Sequence, residues 1–154
     1  MKAVMLSIQP KWCELIASGK KTVEVRKTKP KIEIPFKCYI YATKNGDKIV
    51  LKNNRVFEIS KDITGKVIGE FVCECVTSLK ADNLIQAYYN NTQATCLTDM
   101  EIMRYANGGK LYYWHISDLV IYDKPKDLSE YGLSRPPQSW CYIDYPTEKG
   151  GVQG

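Results

Sequence analysis

A chain of 154 residues is long enough to bury an independent core, and we expect a single domain. Its 44% hydrophobic and 25% charged residues are typical of a globular protein, and no apolar stretch of about 18 residues predicts a membrane span. The formal net charge is +5, and residues 1–31 hold eight basic and two acidic side chains, so this segment is +8 − 2 = +6 and the remainder is −1.

The six cysteines are interpreted as reduced thiols. No apolar leader follows Met1, and half of the cysteines lie in apolar stretches, where cysteine serves as a small hydrophobe. Cys73 and Cys75 are one residue too close for a zinc knuckle, and His115 is the only histidine. We therefore predict a cytoplasmic protein that holds neither a metal nor a cofactor.

The first elements along the chain are a strand and a short helix. Residues 3–8 are apolar and predict a buried strand. Pro10 suits the first position of a helix, and Gly19 suits a left-handed cap at its end. Apolar residues between them recur at the spacing i, i+3, i+4: Trp12, Leu15 and Ile16.

A second strand is predicted over residues 22–26 by strict alternation. Val23 and Val25 would face the core, while Glu24 and Arg26 would belong to a polar row on the other face. This strand is therefore expected to be half-buried.

The rest of the chain predicts four more strands, an inserted hairpin and one or two helices. The strands are expected over residues 36–43, 67–76, 111–122 and 138–143, and the hairpin over residues 44–60. Within residues 67–76, alternation places Glu70 and Glu74 on the same face as Ile68, Val72 and Val76. Thr98 and Glu101 match a capping box for a helix over residues 98–106, and a weaker helix is expected over residues 81–90.

These elements predict an α+β fold in one domain over residues 1–146, followed by a frayed tail over residues 147–154. Five or six strands with two or three flanking helices favour mostly antiparallel pairing. A closed or nearly closed β-barrel would leave no exposed strand edge.

Four charged residues are predicted to converge where the first helix meets the second strand: Lys20, Lys21, Glu24 and Arg26. Lysine offers a point charge, arginine a bidentate fork for phosphate, and glutamate an acceptor for a base edge. The alternative is structural, with an ion pair between Glu24 and Arg26 and two solvated lysines. Spacing alone leaves both interpretations open.

Other residues are candidates for the same site. Ser7, Gln9 and Lys11 lie at the start of the first helix and would help to bind a ligand. His115 is either a structural histidine or a ligand contact at the mouth of the barrel. Trp12 is either a core residue or a stacking platform for a base.

Residues 7–26 resemble the signature of the ASCH domain family, in which a helix is followed by Gly-x-Lys-x-x-Glu-x-Arg. The fixed positions here are Gly19, Lys21, Glu24 and Arg26. Residues 114–119 and 135–140 are also similar to segments of ASCH-type proteins from phages and prophages. The resemblance implies a PUA-like barrel whose motif lines a cleft for RNA or nucleotides.

Some ASCH proteins are enzymes, so the resemblance also implies an enzymatic function as an alternative to binding alone. Small ASCH amidohydrolases deacetylate N4-acetylcytidine with a lysine matching Lys21 and a threonine at the position of Glu24, and others are similar to ribonucleases. If this chain is an enzyme, Lys21 would act as base or nucleophile, and Glu24 would orient it or shuttle a proton.

Three hypotheses follow for the function. The first is an RNA or modified-nucleotide reader whose ligand contacts are Ser7, Gln9, Lys11, Lys20, Lys21, Glu24, Arg26 and His115. The second is a small hydrolase at the same cleft. The third is a phage-encoded module that binds a host protein through the hairpin over residues 44–60.

Overall fold

The computed structural model describes residues 1–44, 50–52, 60–79 and 93–144. The strands are β1 (Lys2–Ile8), β2 (Val23–Arg26), β3 (Phe36–Ala42), β4 (Val50–Lys52), β5 (Ser60–Asp62), β6 (Lys66–Leu79), β7 (Leu111–Lys126) and β8 (Trp140–Asp144). The helices are α1 (Pro10–Ala17) and α2 (Asp99–Ala106), and a 3-10 turn spans Leu128–Tyr131. None of the helices in these ranges is both long and apolar enough to cross a lipid bilayer.

Six strands form one curved sheet in the order β2-β7-β6-β3-β1-β8. Only the β1–β3 pair is parallel among the ladders of this sheet in the described residues, because α1 and β2 intervene between them along the chain. The predicted α+β class with mostly antiparallel pairing is confirmed, and the long strand predicted from residue 67 lies inside the sheet as β6.

Within the described residues, β2 and β8 lie at the two ends of the sheet and do not pair with each other, so backbone hydrogen bonds do not close the sheet into a barrel. The gap between β2 and the neighbouring ends of β1 and β8 is called the seam below. Side chains bridge it: the guanidinium of Arg26 reaches Ser7 on β1 and Ser139 just before β8. The sheet is therefore not a fully closed barrel, which is consistent with the closed or nearly closed barrel predicted from the strand pattern.

The core consists of three clusters around this sheet. The largest contains Leu6, Ile40 and Trp114 and packs against Cys13 and Ile16 of α1. A second, on the other face, is built around tyrosines of β3 and the 3-10 turn. The third fastens α2 to β2 and β7 through apolar contacts, and its buried members are Val23, Val25, Ile102, Ala106, Leu111 and Tyr113.

The chain reverses sharply between α1 and β2. Pro10 begins α1 as predicted, and Gly19 adopts a left-handed φ of +81° just after the helix. The backbone N–H groups of Lys20 and Lys21 both donate to Leu15 O, at 3.0 and 2.9 Å. This cap delivers Lys21 to the beginning of β2 in a fixed orientation.

Irregularities in β6 overturn the single-face prediction for this strand. Its pairing with β7 shifts register at three places, and a Cβ at Gly69 would lie 2.4 Å from Val120 O. Ile68 packs in the largest cluster, whereas the Glu70 carboxylate accepts from Tyr122 at the other face. In the ladder with β3, Ile40 lies opposite Gly69 and Tyr41 opposite Val67, so Ile68 is an extra residue of β6 and the alternation assumed from the sequence is reversed there.

Several predicted segments lie partly or wholly outside the described residues. These are the helix over residues 81–90, the tail over residues 147–154 and most of the hairpin over residues 44–60. In the last of these, β4 pairs antiparallel with β5, Val50 opposite Asp62. The hairpin as a whole and the single-domain boundary stay predictions.

Candidate functional site

A cleft of about 570 Å³ opens at the seam. Residues of β1, β2, α1 and α2 contribute to its walls. Its lining is Ser7, Ile8, Gln9, Trp12, Lys21, Glu24, Val25, Arg26, Thr43, Leu97, Glu101, Arg104, Tyr105 and Gln138. Five of the eight residues predicted to bind a ligand are therefore brought together here.

Lys21 is buried in the floor of the cleft, with 2% of its surface exposed. Its Nζ donates to Thr95 O at 2.6 Å and lies 3.5 Å from Glu24 Oε1 and 5.1 Å from the Trp12 ring centroid. Burial lowers the pKa of Lys21, and the neighbouring Glu24 carboxylate opposes this shift in part. Among the described contacts, two of the three ammonium N–H groups are engaged and one is left for a ligand.

Glu24 is held by partners on both carboxylate oxygens. Oε1 accepts from Val25 N at 3.2 Å, and Oε2 accepts from Arg26 Nη2 at 2.8 Å and Nε at 3.2 Å. Burial opposes ionisation, but Arg26 and Lys21 outweigh it and keep the pKa of Glu24 below its usual value. The side chain is therefore a fixed carboxylate at neutral pH.

The guanidinium of Arg26 donates all of its described hydrogen bonds to other atoms of the protein. Nε and Nη2 donate to Glu24, Nη2 also donates to Ser7 O at 2.8 Å, and Nη1 donates to Ser139 O at 3.2 Å and Ser139 Oγ at 3.0 Å. These contacts use all five N–H groups of the guanidinium. Arg26 thereby fixes Glu24 and bridges the seam, and its role as a phosphate fork stays a prediction.

Ser7 and Gln9, predicted from their place before α1, both line the cleft. Ser7 Oγ donates to Pro137 O at 2.6 Å, so its hydroxyl also helps to hold the segment before β8. Gln9 is exposed and its side chain makes no capping bond to α1. Its amide is therefore available to a ligand as donor and acceptor.

Lys11, Lys20 and His115 do not line the cleft. Lys11 is exposed, with Nζ 4.5 Å from the Trp12 ring centroid, and Lys20 is exposed beside the α1 cap. His115 lies on β7 with Nε2 3.3 Å from Thr77 Oγ1, and partial burial lowers the pKa of its imidazole. The convergence predicted for four charged groups therefore involves three of them.

The segment before α2 clamps the base of the cleft. Thr22 N donates to Ala94 O at 2.8 Å, and Cys96 Sγ donates to Lys20 O at 3.4 Å. Thr95, which lies between Ala94 and Cys96, is fully buried, and its backbone carbonyl oxygen accepts a hydrogen bond from Lys21 Nζ. Cys96 adopts a left-handed φ of 59°. Such backbone strain in a non-glycine residue is typical of positions that a functional site requires.

The wall formed by α2 was missed by sequence reasoning. Glu101, Arg104 and Tyr105 follow the spacing i, i+3 and i+4, which places them on one face of α2, and Leu97 lies just before the N-cap of this helix. The sequence predicted α2 from its capping box, and this spacing could have identified the shared face. Nothing local in the sequence indicates that this face meets β2, about 75 residues earlier in the chain.

Within the described ranges, no three His, Cys, Asp or Glu side chains are close enough together to hold a metal ion. The charged residues of the cleft are Lys21, Arg26 and Arg104 against Glu24 and Glu101, which leaves a local charge of +3 − 2 = +1. Aromatic rings of Trp12 and Tyr105 share the same walls. This combination suits a planar ligand that carries negative charge.

Solved structures with the same fold come from Zymomonas mobilis. The ASCH protein of that organism matches with a TM-score of 0.66 at 21% identity, over 92% of this chain and 87% of the other. A tyrosine-to-phenylalanine variant of it matches with a TM-score of 0.70 at 21% identity, over 94% and 91%. At this level of identity the likeness establishes the fold alone.

Among curated proteins, none matches this sequence significantly. The sequence model of the ASCH domain, however, matches residues 6–131, which include the whole Gly-x-Lys-x-x-Glu-x-Arg motif and most of the cleft. The chain therefore belongs to the ASCH domain family.

Proposed function

We propose that this protein binds RNA or a modified nucleotide in the cleft at the seam, with one base inserted beside Lys21. The single observation that supports this most strongly is the buried ammonium of Lys21, which keeps one N–H group for a ligand. Burying a charge is costly, and a domain retains such a group where it serves a site.

The other walls supply what a nucleotide needs. The amides of Gln9 and Gln138 can donate to and accept from a base edge, and the rings of Trp12 and Tyr105 can stack on it. Arg104 is exposed at the rim and offers a bidentate fork for phosphate. A volume of about 570 Å³ falls in the range of roughly 300–1,000 Å³ typical of small-ligand sites.

A titration against free nucleosides, modified nucleosides and single-stranded RNA tests this proposal. Replacing Lys21 with Met, which fills a similar volume without charge, should weaken binding by at least about tenfold, the loss of one charge-assisted hydrogen bond. The matched control is Lys124→Met, which removes an exposed lysine of β7 far from the cleft lining. Equal affinities in the wild type and the Lys21→Met variant would refute the proposal.

A small hydrolase at the same cleft is the second candidate, because burial lowers the pKa of Lys21 toward that of a base or nucleophile. Against it, the Glu24 carboxylate stabilises the ammonium form, and this chain has no hydroxyl at position 24. We expect no turnover of N4-acetylcytidine or RNA by the wild type. Hydrolysis that disappears in the Lys21→Met variant would replace the binding proposal with the enzymatic one.

A third possibility is a phage-encoded module that binds a host protein. Its support is the similarity of residues 114–119 and 135–140 to phage and prophage proteins. Affinity for RNA should fall steeply with salt, whereas a largely apolar protein interface should change little. In each case we propose a cytoplasmic site of action, where the six free thiols would stay reduced.

A further inference from the structure

The rim of the cleft continues into a row of exposed lysines placed over tyrosine rings. Lys27 Nζ lies 4.8 Å from the ring centroid of Tyr105, which itself lines the cleft. Lys29 Nζ and Lys110 Nζ lie 5.9 and 5.5 Å from the ring centroid of Tyr112. These five residues are called the lysine–tyrosine track.

The track follows the end of β2 away from the cleft. Lys27 comes directly after Arg26, the last residue of β2, and Arg26 pairs with Tyr112 across the β2–β7 ladder. Tyr105 belongs to α2, which packs on the same two strands. A chain leaving the cleft past Tyr105 would therefore meet the three ammonium groups around the end of β2.

Within the described residues, the three lysines of the track form no ion pair with a carboxylate, a property that they share with Lys126. Lys2, Lys37 and Lys66 each form an ion pair, with Asp144, Glu70 and Asp127 respectively. An ion pair neutralises the ammonium charge, whereas a tyrosine ring positions the ammonium and leaves its full charge to an incoming anion. Three positioned and unneutralised cations therefore stand beside a cleft that suits a nucleotide.

We propose that the lysine–tyrosine track binds the phosphodiester backbone of a single-stranded RNA whose unpaired base occupies the cleft. The ligand is then an oligonucleotide rather than a free nucleoside. This inference rests on the proposed function, and it names the substrate class. A single strand is favoured over a duplex, because a base of a duplex would first have to be unstacked and unpaired before it could enter the cleft.

The test compares two variants that each remove three positive charges. The track variant is Lys27→Gln/Lys29→Gln/Lys110→Gln. The control variant is Lys2→Gln/Lys124→Gln/Lys126→Gln, which includes Lys126, an exposed lysine 4.5 Å from the Tyr122 ring centroid on the other face of the sheet. The ligands are a uridine mononucleotide and single-stranded oligouridines of two, four and eight nucleotides, each measured at several salt concentrations.

For the wild type and the control variant, affinity should rise with oligonucleotide length. For the track variant this rise should be lost, with octamer affinity about 10–100-fold lower in 0.1 M salt and mononucleotide affinity unchanged. The slope of log affinity against log salt for the octamer should become shallower by about two, since each phosphate neutralised on a single strand contributes about 0.7.

Three results would overturn the proposal. One is an octamer affinity that falls equally in both variants, which would indicate a general charge effect. Another is octamer binding no tighter than mononucleotide binding in the wild type. The third is equal binding of a polyglutamate peptide of matched charge, which would assign the track to an acidic polypeptide.

The same measurements separate this proposal from the proposed function of the cleft. If Lys21→Met leaves octamer affinity unchanged while the track variant loses it, the cleft function fails and only the binding of the RNA backbone by the track stands. If Lys21→Met abolishes binding of every ligand and the track variant binds all of them like the wild type, the track fails and the cleft stands. If the wild type binds none of the ligands, both are overturned.

Discussion

Lys21, Glu24 and Arg26 form one buried network, yet the structure gives them different tasks. Arg26 has no hydrogen-bonding group left for a ligand, and both oxygens of Glu24 are engaged. Of the three, only Lys21 has an N–H group without a partner among the described contacts. Removing Arg26 should therefore act through the stability of the fold, whereas removing Lys21, which also holds Thr95 and Glu24, should in addition weaken binding.

The first prediction concerns Arg26→Ala. This change leaves the Glu24 carboxylate without its closest ion-pair partner and strands the carbonyl groups of Ser7 and Ser139. Breaking a buried ion pair on one side costs about 3–5 kcal/mol of unfolding free energy, measured by urea denaturation. The exposed-site control Lys124→Ala should change it by less than about 0.5 kcal/mol. A loss below about 1 kcal/mol for Arg26→Ala would contradict the positioning role.

The second prediction is a pH dependence that originates at Glu24. Because its pKa in the folded state is below the unfolded value, its stabilising contribution is present above the unfolded pKa and is lost as pH falls through the folded pKa. The difference in unfolding free energy between the wild type and Glu24→Gln should be large at pH 7 and should shrink in acid, as measured by urea denaturation over a pH series. A difference that stays constant down to pH 2 would show that this carboxylate is not the titrating group.

At the scale of elements, α2 decides whether the cleft has a second wall. Its apolar face packs on β2 and β7 through Ile102 and Ala106, and its cleft face carries Arg104 and Tyr105. Thr98 Oγ accepts from Glu101 N at 3.1 Å while the Glu101 carboxylate accepts from Thr98 N at 3.1 Å. Two N–H groups that the helix itself cannot satisfy are thereby paired, so this cap fixes where α2 begins.

The third prediction follows from this capping box. Thr98→Ala should lower the unfolding free energy by about 1 kcal/mol, and Thr98→Asp, which restores an oxygen acceptor at the N-cap, should recover most of it. Thermal unfolding of both variants measures the difference. Because fraying of α2 would loosen Arg104 and Tyr105, ligand affinity should fall in the alanine variant and not in the aspartate variant. Identical stabilities of the two variants would rule out the cap.

Element by element, the sequence predicted what depends on local patterns. Pro10, Gly19 and the alternation of Val23 and Val25 identified α1 and β2 and placed the motif at their junction. The alternating pattern predicted a half-buried β2, but all four of its residues are buried. The reason is that the polar side chains, Glu24 and Arg26, face the seam and not the solvent. The buried position of Lys21 depends on the hydrogen bond from its Nζ to Thr95 O, 74 residues away in the sequence. A contact between residues so far apart cannot be predicted from a local sequence pattern.

For the whole molecule, the seam links the fold to the site. A four-residue β2 ends the sheet, and the side chain of Arg26 occupies the place where a further backbone ladder would close the barrel. The unclosed edge leaves room for the cleft, which is lined from both sides of the gap. The strand pattern predicted a closed or nearly closed barrel but could not decide between the two, because the closure depends on side chains that cover a strand edge and not on the number of strands.

The fourth prediction uses the cysteines as reporters of global unfolding. All six thiols are free; Cys13, Cys38 and Cys73 are buried and Cys75 is exposed. Burial raises the pKa of the Cys73 thiol to about 11 and raises those of Cys13 and Cys38 as well, so their reactive thiolates are suppressed. With a thiol-specific dye at pH 8, Cys75 should react first.

The three buried thiols should react at least about a thousandfold more slowly than Cys75, because a domain stable by 5 kcal/mol or more is unfolded in fewer than about one molecule in a thousand. The half-buried Cys96 and Cys141 should react at intermediate rates. Cys75→Ser should remove the fastest phase, and 6 M guanidinium should make all the remaining thiols react together. Since the three slow thiols lie in the largest core cluster, their rate should follow unfolding free energy across the Arg26→Ala and Thr98→Ala variants. Fast reaction of more than three thiols in the native protein would show that this core opens without global unfolding.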